Sequence, residues 1–244
     1  AGLSCAGKKV YAHTFAAFAT RRAFDQIFIS CAYGKNSIRI WGSDPGIAAR
    51  YNGGTHMPFE DLGMMRTIPT ATVLDICDTT MMKAMIHATK DMDGIVYLRA
   101  DRGEAPRIYA DGAEFEIGKG NVLRDGTDVT IITSGIMVGE SLNAAEQLAA
   151  EGISAAVIDM FTIKPIDREL IVEYAKKTGA VVTTDNHNIN GGLGEAVAAV
   201  LAEEYPVPMR RLAIEDQFGE VGDLDYLRKR FHLTSDGVAE KVHE

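Results

Sequence analysis

From Val10 to Ile214 the chain alternates short apolar runs with longer segments whose apolar positions recur at i, i+3 and i+4. Two alternating periods mark strands joined by crossover helices, and they argue against a bundle or an all-β sandwich. The expected fold class is α/β, with two consecutive domains, each a mainly parallel sheet flanked by helices. In the first half, strands are predicted at Lys9–Ala12, Ser37–Trp41, Ala71–Ile76 and Gly94–Arg99. Helices are predicted at Phe15–Tyr33, behind Pro58, and at Thr79–Lys90. The first helix would bury Phe24, Ile27, Phe28, Cys31 and Ala32. Strands at Asp128–Thr133, Ser154–Met160, Ala180–Asp185 and Met209–Ile214, separated by helices at Met137–Glu151, Asp167–Lys177 and Leu193–Glu204, repeat the alternation before two short closing helices. Between them the pattern changes to β-like pieces, Arg107–Tyr109 and Glu114–Ile117, around the turn pair Asp111-Gly112. The expected organisation is a first domain over residues 1–106, a connecting segment 107–123 and a second domain 124–244.

Charge narrows the partners. A net charge of −9, with 25 Lys and Arg scattered rather than striped, disfavours a nucleic-acid footprint. Three cysteines without a CxxC pair suggest neither a disulfide framework nor a zinc site, and a cytoplasmic location fits them. No apolar run approaches the ~20 residues of a membrane helix.

Several segments sit where strands end, the usual ligand side of a parallel sheet. Phe15 and Phe18 could form a flat platform for an aromatic cofactor, although their spacing suits plain core packing as well. The Gly42–His56 stretch, too long for a plain connector, gathers Asp44, Arg50, Asn52 and His56 among glycines. His56 is suited to proton exchange near neutral pH, or simply to the helix start behind Pro58. Arg99-Ala100-Asp101-Arg102 offers guanidinium groups to an anion, or a charged surface turn. Gly191-Gly192-Leu193-Gly194 opens a helix that could hold an anion, but it fails as a dinucleotide fingerprint. Asp185-Asn186-His187 reads as a polar loop rather than a metal cluster.

In combination these strings resemble transketolases. Thr-Phe-Ala-Ala-Phe (14–18), Arg-Ala-Phe-Asp-Gln-Ile (22–27), Gly-Gly-Thr-His-Met-Pro-Phe-Glu-Asp-Leu (53–62), Arg102, Met-Phe-Thr-Ile-Lys-Pro-Ile-Asp-Arg (160–168) and Asn-Gly-Gly-Leu-Gly-Glu-Ala (190–196) occur in the family's order. The resemblance implies a pyrimidine-binding domain followed by the family's C-terminal domain, as in transketolases split into two polypeptides. It implies thiamine diphosphate as cofactor, with Mg²⁺ held mainly by a partner subunit that carries the pyrophosphate-binding domain, and a heterotetramer. The activity implied is transfer of a two-carbon ketol unit from a ketose phosphate or sulfonate to an aldehyde. Carried over by position, Phe18 would stack on the aminopyrimidine with Phe15 beside it. His56 would assist proton transfer and orient substrate, at a position where some members have Gln. Arg102 would grip the substrate's terminal phosphate, and no metal ligand is expected in this chain.

Departures from the family pattern bear on substrate. Asp44 stands where many transketolases have a donor-contacting His, and Asn52 where they have an Asp that bonds the sugar hydroxyl. Arg50-Tyr51 replaces the usual Gly-Glu. The donor's stereochemistry or terminal group is therefore expected to differ from ordinary pentose and hexose phosphates. The family's cofactor-activating glutamate would lie just upstream of Ala1, so a chain starting there is expected to be inactive even with its partner. Alternatives are a β-type subunit of a 2-oxo-acid dehydrogenase, a deoxyxylulose-phosphate-synthase-like enzyme, or a non-catalytic partner subunit. The motif strings favour transketolase.

Overall fold

The computed structural model describes residues 1–103 and 105–244. Its strands are β1 (Tyr11–Phe15), β2 (Ile38–Ser43), β3 (Thr72–Asp75), β4 (Ile95–Ala100), β5 (Asn121–Arg124), β6 (Val129–Thr133), β7 (Ala155–Asp159), β8 (Thr162–Lys164), β9 (Val181–Asn188) and β10 (Met209–Ile214). They form two five-stranded sheets, ordered β1-β2-β4-β3-β8 and β10-β9-β6-β7-β5. Every pairing is parallel except β3 with β8 and β5 with β7. The predicted α/β class, two mainly parallel sheets flanked by helices, is the observed one. Residues of β3, β4, β6 and β7 are buried throughout, as strands covered by helices on both faces require. Helix ends follow local chemistry. Asp78 and Asp167 cap the helices Thr79–Thr89 and Arg168–Thr178 by accepting from Met81 N and Leu170 N. Gly179, at φ +74°, closes the second in the left-handed conformation. No described helix is long and apolar enough to cross a membrane.

Several local expectations are corrected. The single helix over Phe15–Tyr33 is instead a turn of helix at Ala16–Ala19, a second at Phe24–Gln26 and a π-helix over Ile27–Tyr33. Thr20 Oγ1 donates to the Ala16 carbonyl at 2.7 Å, at the point where the first turn ends. The buried positions within the predicted stripe, Ile27 and Cys31, nevertheless face the core. Arg107–Tyr109 and Glu114–Ile117 are irregular rather than extended. β5, which overlaps the end of the predicted connecting segment, joins the second sheet antiparallel to β7. β8, lying in the second half of the sequence, completes the first sheet at the flank of β3. Asp185, Asn186 and His187 lie buried on β9 rather than in a loop.

The two sheets meet over a buried ionic cluster. Arg99, 1% exposed on β4, donates from Nε to Asp61 Oδ2 at 2.8 Å and from Nη1 to Asp75 Oδ1 at 3.2 Å. Its Nη2 donates to the Asn186 carbonyl at 2.7 Å, and Ser134 Oγ donates to Asp75 Oδ2 at 2.8 Å. Both of the latter bonds cross from one sheet's domain to the other. Burial alone would raise Asp61, but the charge of Arg99, the nearby His187 and the hydrogen bonds from Arg99 and Tyr97 together outweigh it and hold the carboxyl below its usual range. At Asp75 burial wins, and that carboxyl is raised.

A second buried carboxylate gives a pH signature. Asp159 Oδ2 accepts from Tyr109 OH at 2.9 Å and from the Cys77 thiol at 3.5 Å, while Oδ1 has no partner among the described residues. Burial first, and then the neighbouring Asp75 and Asp78, push its pKa up to about 7. The folded state thus holds a proton the unfolded chain has lost, and stability from this group falls as pH rises from the unfolded value near ~4 through 7. Asp159→Asn removes the charge but adds an unpaired amide donor. The Tm of the variant relative to wild type should be roughly 3–6 °C more favourable at pH 8 than at pH 5 by calorimetry. An offset independent of pH would contradict this.

Candidate active site

Because β1, β2 and β4 run parallel, Phe15, Ser43 and Ala100 end on one edge of the sheet. Phe15 is the last residue of β1, and Phe18 lies on the turn of helix that follows. Their ring centroids are 5.9 Å apart and edge to face. The imidazole of His56 closes a three-ring cluster, 5.3 Å from Phe15 and 4.9 Å from Phe18. All three side chains are half-buried. Thr55 Oγ1 lies 2.9 Å from His56 Nδ1 and fixes the ring's orientation, leaving Nε2 as the nitrogen able to meet a ligand.

Charge borders the rings. Arg102, just past β4, sets its guanidinium 4.8 Å from the Phe15 centroid and pairs through Nε with Asp44 Oδ2 at 2.8 Å. Arg102 is 56% exposed, whereas Asp44 is buried. Burial raises the Asp44 carboxyl, opposed by the Ser43 hydroxyl and by Arg102 and reinforced by the facing Asp101. On the far side Arg22 lies 4.1 Å over the Phe18 ring, and Arg21 Nη2 donates to the Thr55 carbonyl at 3.0 Å. A cavity of about 200 Å³ opens beside Arg102, lined by Trp41, Ile76, Cys77, Asp101 and Gly103 among others. Among the described residues no group of three or more His, Cys, Asp or Glu converges to hold a metal.

The structure therefore brings Phe15, Phe18, His56, Asp44 and Arg102 together. Asn52 is exposed, and its Nδ2 donates to the Ala49 carbonyl at 2.9 Å. The stretch predicted as the Gly42–His56 loop is more ordered than expected: β2 runs to Ser43, and a 3₁₀ segment spans Gly46–Asn52.

Comparison with known proteins decides the family. A model of the transketolase pyrimidine binding domain matches residues 1–107, and one of the transketolase C-terminal domain matches residues 118–238. The chain is 48% identical over 244 residues to the 6-deoxy-6-sulfo-D-fructose transketolase subunit SqwH of Clostridium sp. (strain MSTE9), covering all of this chain and 76% of that protein. This chain belongs to the transketolase family. It is also 35% identical over 245 residues to an apulose-4-phosphate transketolase subunit of Phocaeicola vulgatus, covering all of this chain and 78% of that protein. A solved structure described as a split gene transketolase, inactive beta4 tetramer, superposes with a TM-score of 0.91 at 41% identity, covering 99% of this chain and 77% of that one. The chain is thus similar to subunits of split transketolases.

Two features of this transketolase chain were not visible in its sequence. The second domain braces the site: Asn186 on β9 accepts from Ile47 N at 3.0 Å and donates to the Pro45 carbonyl at 3.0 Å. Gly46 sits between them at φ +53°, where a Cβ would overlap the Asn186 side chain. At the glycine-rich helix start, Asp185 Oδ2 accepts from Leu193 N at 2.6 Å, so a carboxylate of the chain itself meets that helix N-terminus. Arg22 was legible in principle, four residues beyond Phe18 on what reads as one helical face.

Proposed function

We propose that the chain is one subunit of a split, thiamine-diphosphate-dependent transketolase that acts in the cytoplasm on an anionic ketose donor. Its partner would carry the pyrophosphate-binding domain, the Mg²⁺ site and the rest of the cofactor cleft, in a heterotetramer. The observation that carries this reading is the half-buried Phe15–Phe18–His56 cluster flanked by the Asp44–Arg102 pair at a sheet edge.

The residues fit the pyrimidine half of the cofactor. Phe18 and Phe15 offer partly accessible ring surface suited to an aromatic heterocycle, next to the nitrogen of a titratable imidazole. The diphosphate would be held by the partner's pyrophosphate-binding domain. Thiamine diphosphate provides the electron sink that a ketose needs when a carbon–carbon bond beside its carbonyl is cleaved. Phe15 and Phe18 would orient the heterocycle and exclude water from one side. His56 Nε2 would hold or move a proton at a donor hydroxyl or carbonyl oxygen, its ring held by Thr55. Arg102 would fix the far, anionic end, and its ion pair with the buried Asp44 would keep the guanidinium in place before substrate arrives. The named activities of the relatives, on a sulfonated hexulose and on apulose 4-phosphate, support a donor ending in a tetrahedral oxyanion.

The test is co-expression of the full reading frame with a pyrophosphate-domain partner, followed by a ketol-transfer assay with phosphorylated and sulfonated ketoses. Turnover should require both chains and added thiamine diphosphate. A pair that binds the cofactor yet transfers no ketol unit from any ketose tried would refute the assignment.

A further inference from the structure

Arg50 lies in a conformation that its position does not explain. Its backbone, at φ +51° and ψ −124°, interrupts the 3₁₀ segment in a region L-residues rarely enter. Such strain persists only where the surroundings impose it, and it clusters at ligand sites. Its side chain crosses to the end of β4, where Nη2 pairs with Asp101 Oδ2 at 2.9 Å. The guanidinium lies against Gly103 so closely that a Cβ at that glycine would overlap it. Its Nε is buried and has no hydrogen-bond partner among the described residues. Arg102 holds the mirror arrangement one residue along, paired with Asp44. Asp44 and Asp101 face one another, so two guanidiniums and two carboxylates are gathered around residues 101–103.

We propose that Arg50 is a second specificity-determining guanidinium, which closes with Arg102 on the terminal phosphate or sulfonate of the donor. This rests on the function proposed above and adds a residue to it. Two forked cations suit a tetrahedral oxyanion better than one, because each can present two parallel N–H groups. Without substrate, Asp101 and Asp44 act as internal anions that hold the two arginines apart. The substrate's terminal group takes over those bonds. The segment carrying Arg50 is anchored at Pro45 and Ile47 by Asn186, so the guanidinium has a fixed base from which to reach.

Arg50→Gly removes the guanidinium and relieves the backbone, since glycine takes a positive φ freely. In the reconstituted pair, KM for a 6-phosphorylated or a 6-sulfonated ketohexose should rise about 10–100-fold with kcat within about threefold, the loss expected for one charge-assisted contact. Discrimination between each anionic donor and the uncharged ketohexose should fall by the same factor. Arg50→Lys should recover part of it, because the charge returns without the fork. The two anionic donors separate a general oxyanion site from one selective for either group. An unchanged KM, or equal losses on charged and uncharged donors, would overturn the proposal. Inorganic sulfate gives a readout free of turnover: it should raise the Tm of the wild-type chain more than that of Arg50→Gly, and equal shifts would count against Arg50. If the wild-type pair turns over no ketose, the functional reading falls and the sulfate comparison alone decides the role of Arg50.

Discussion

Replacing Arg99 with leucine is expected to destabilise the chain by about 3–5 kcal/mol, the loss seen when one member of a buried ion pair is removed. In a chain of this size that lowers Tm by roughly 10 °C. The size follows from what is left behind. Asp61 and Asp75 are both fully buried, and Arg99 is the cation each of them contacts. Without it they can relieve their repulsion only by protonation or by opening the interface, and the Asn186 carbonyl loses its donor. The defect would spread to the site, because Asn186 also anchors Pro45 and Ile47. Adding Asp75→Asn to the same background should restore part of the stability, since it removes one stranded charge while keeping an acceptor for Ser134. Thermal melts of the single and double variants check this. A loss below about 1 kcal/mol for Arg99→Leu would mean that the interface relaxes around the missing cation.

His56→Ala should lower kcat/KM of the reconstituted enzyme by roughly 100-fold, at the low end of what a positioned proton-transfer group contributes. The ring fills the gap between Phe15 and Phe18, so its loss also loosens the aromatic platform. His56→Gln separates the two effects. A glutamine keeps a polar atom near the former Nε2 and occupies similar volume, but it cannot exchange a proton. If His56 mainly orients substrate, Gln should retain activity within about tenfold, with a pH profile flatter than that of wild type. A loss as deep as that of alanine, with the alkaline or acidic limb of the profile gone, would assign the proton transfer itself to His56. Variants that all match wild type would remove His56 from the site.

The strands of both sheets were legible where helices cover both faces, because Val73-Leu74, Ile95–Leu98, Ile131-Ile132 and Ala155–Ile158 form apolar runs bounded by turns. β5 and β8 were not: β5 is only partly buried, and β8 is three residues long, too short to express a period. The π-helix escaped for a different reason. Ile27 and Cys31 are buried in either helical geometry, so their spacing cannot report a widened turn. In the site, Phe15, Phe18, His56, Asp44 and Arg102 were each legible as strand-end residues, but only the fold shows that they meet. Arg99 and Arg102 look alike in sequence, and what separates them is the direction each faces. One enters the domain interface and is lost to solvent, while the other remains exposed beside the rings. Asn186 offered no signal at all, since its partners lie about 140 residues away.

The insertion of β8 beside β3 has a consequence for how the chain is made. The first sheet borrows its last strand from residues 162–164, beyond β6 and β7 of the other sheet. During synthesis, then, the amino-terminal half emerges with the flank of β3 bare, and it stays so until the ribosome has delivered more than sixty further residues past β4. A gene cut between the two sheets would yield a first fragment with an open, adhesive edge. The two halves are therefore tied by a strand that one supplies to the other's sheet, so a cut between the sheets would separate β8 from the partner it covers.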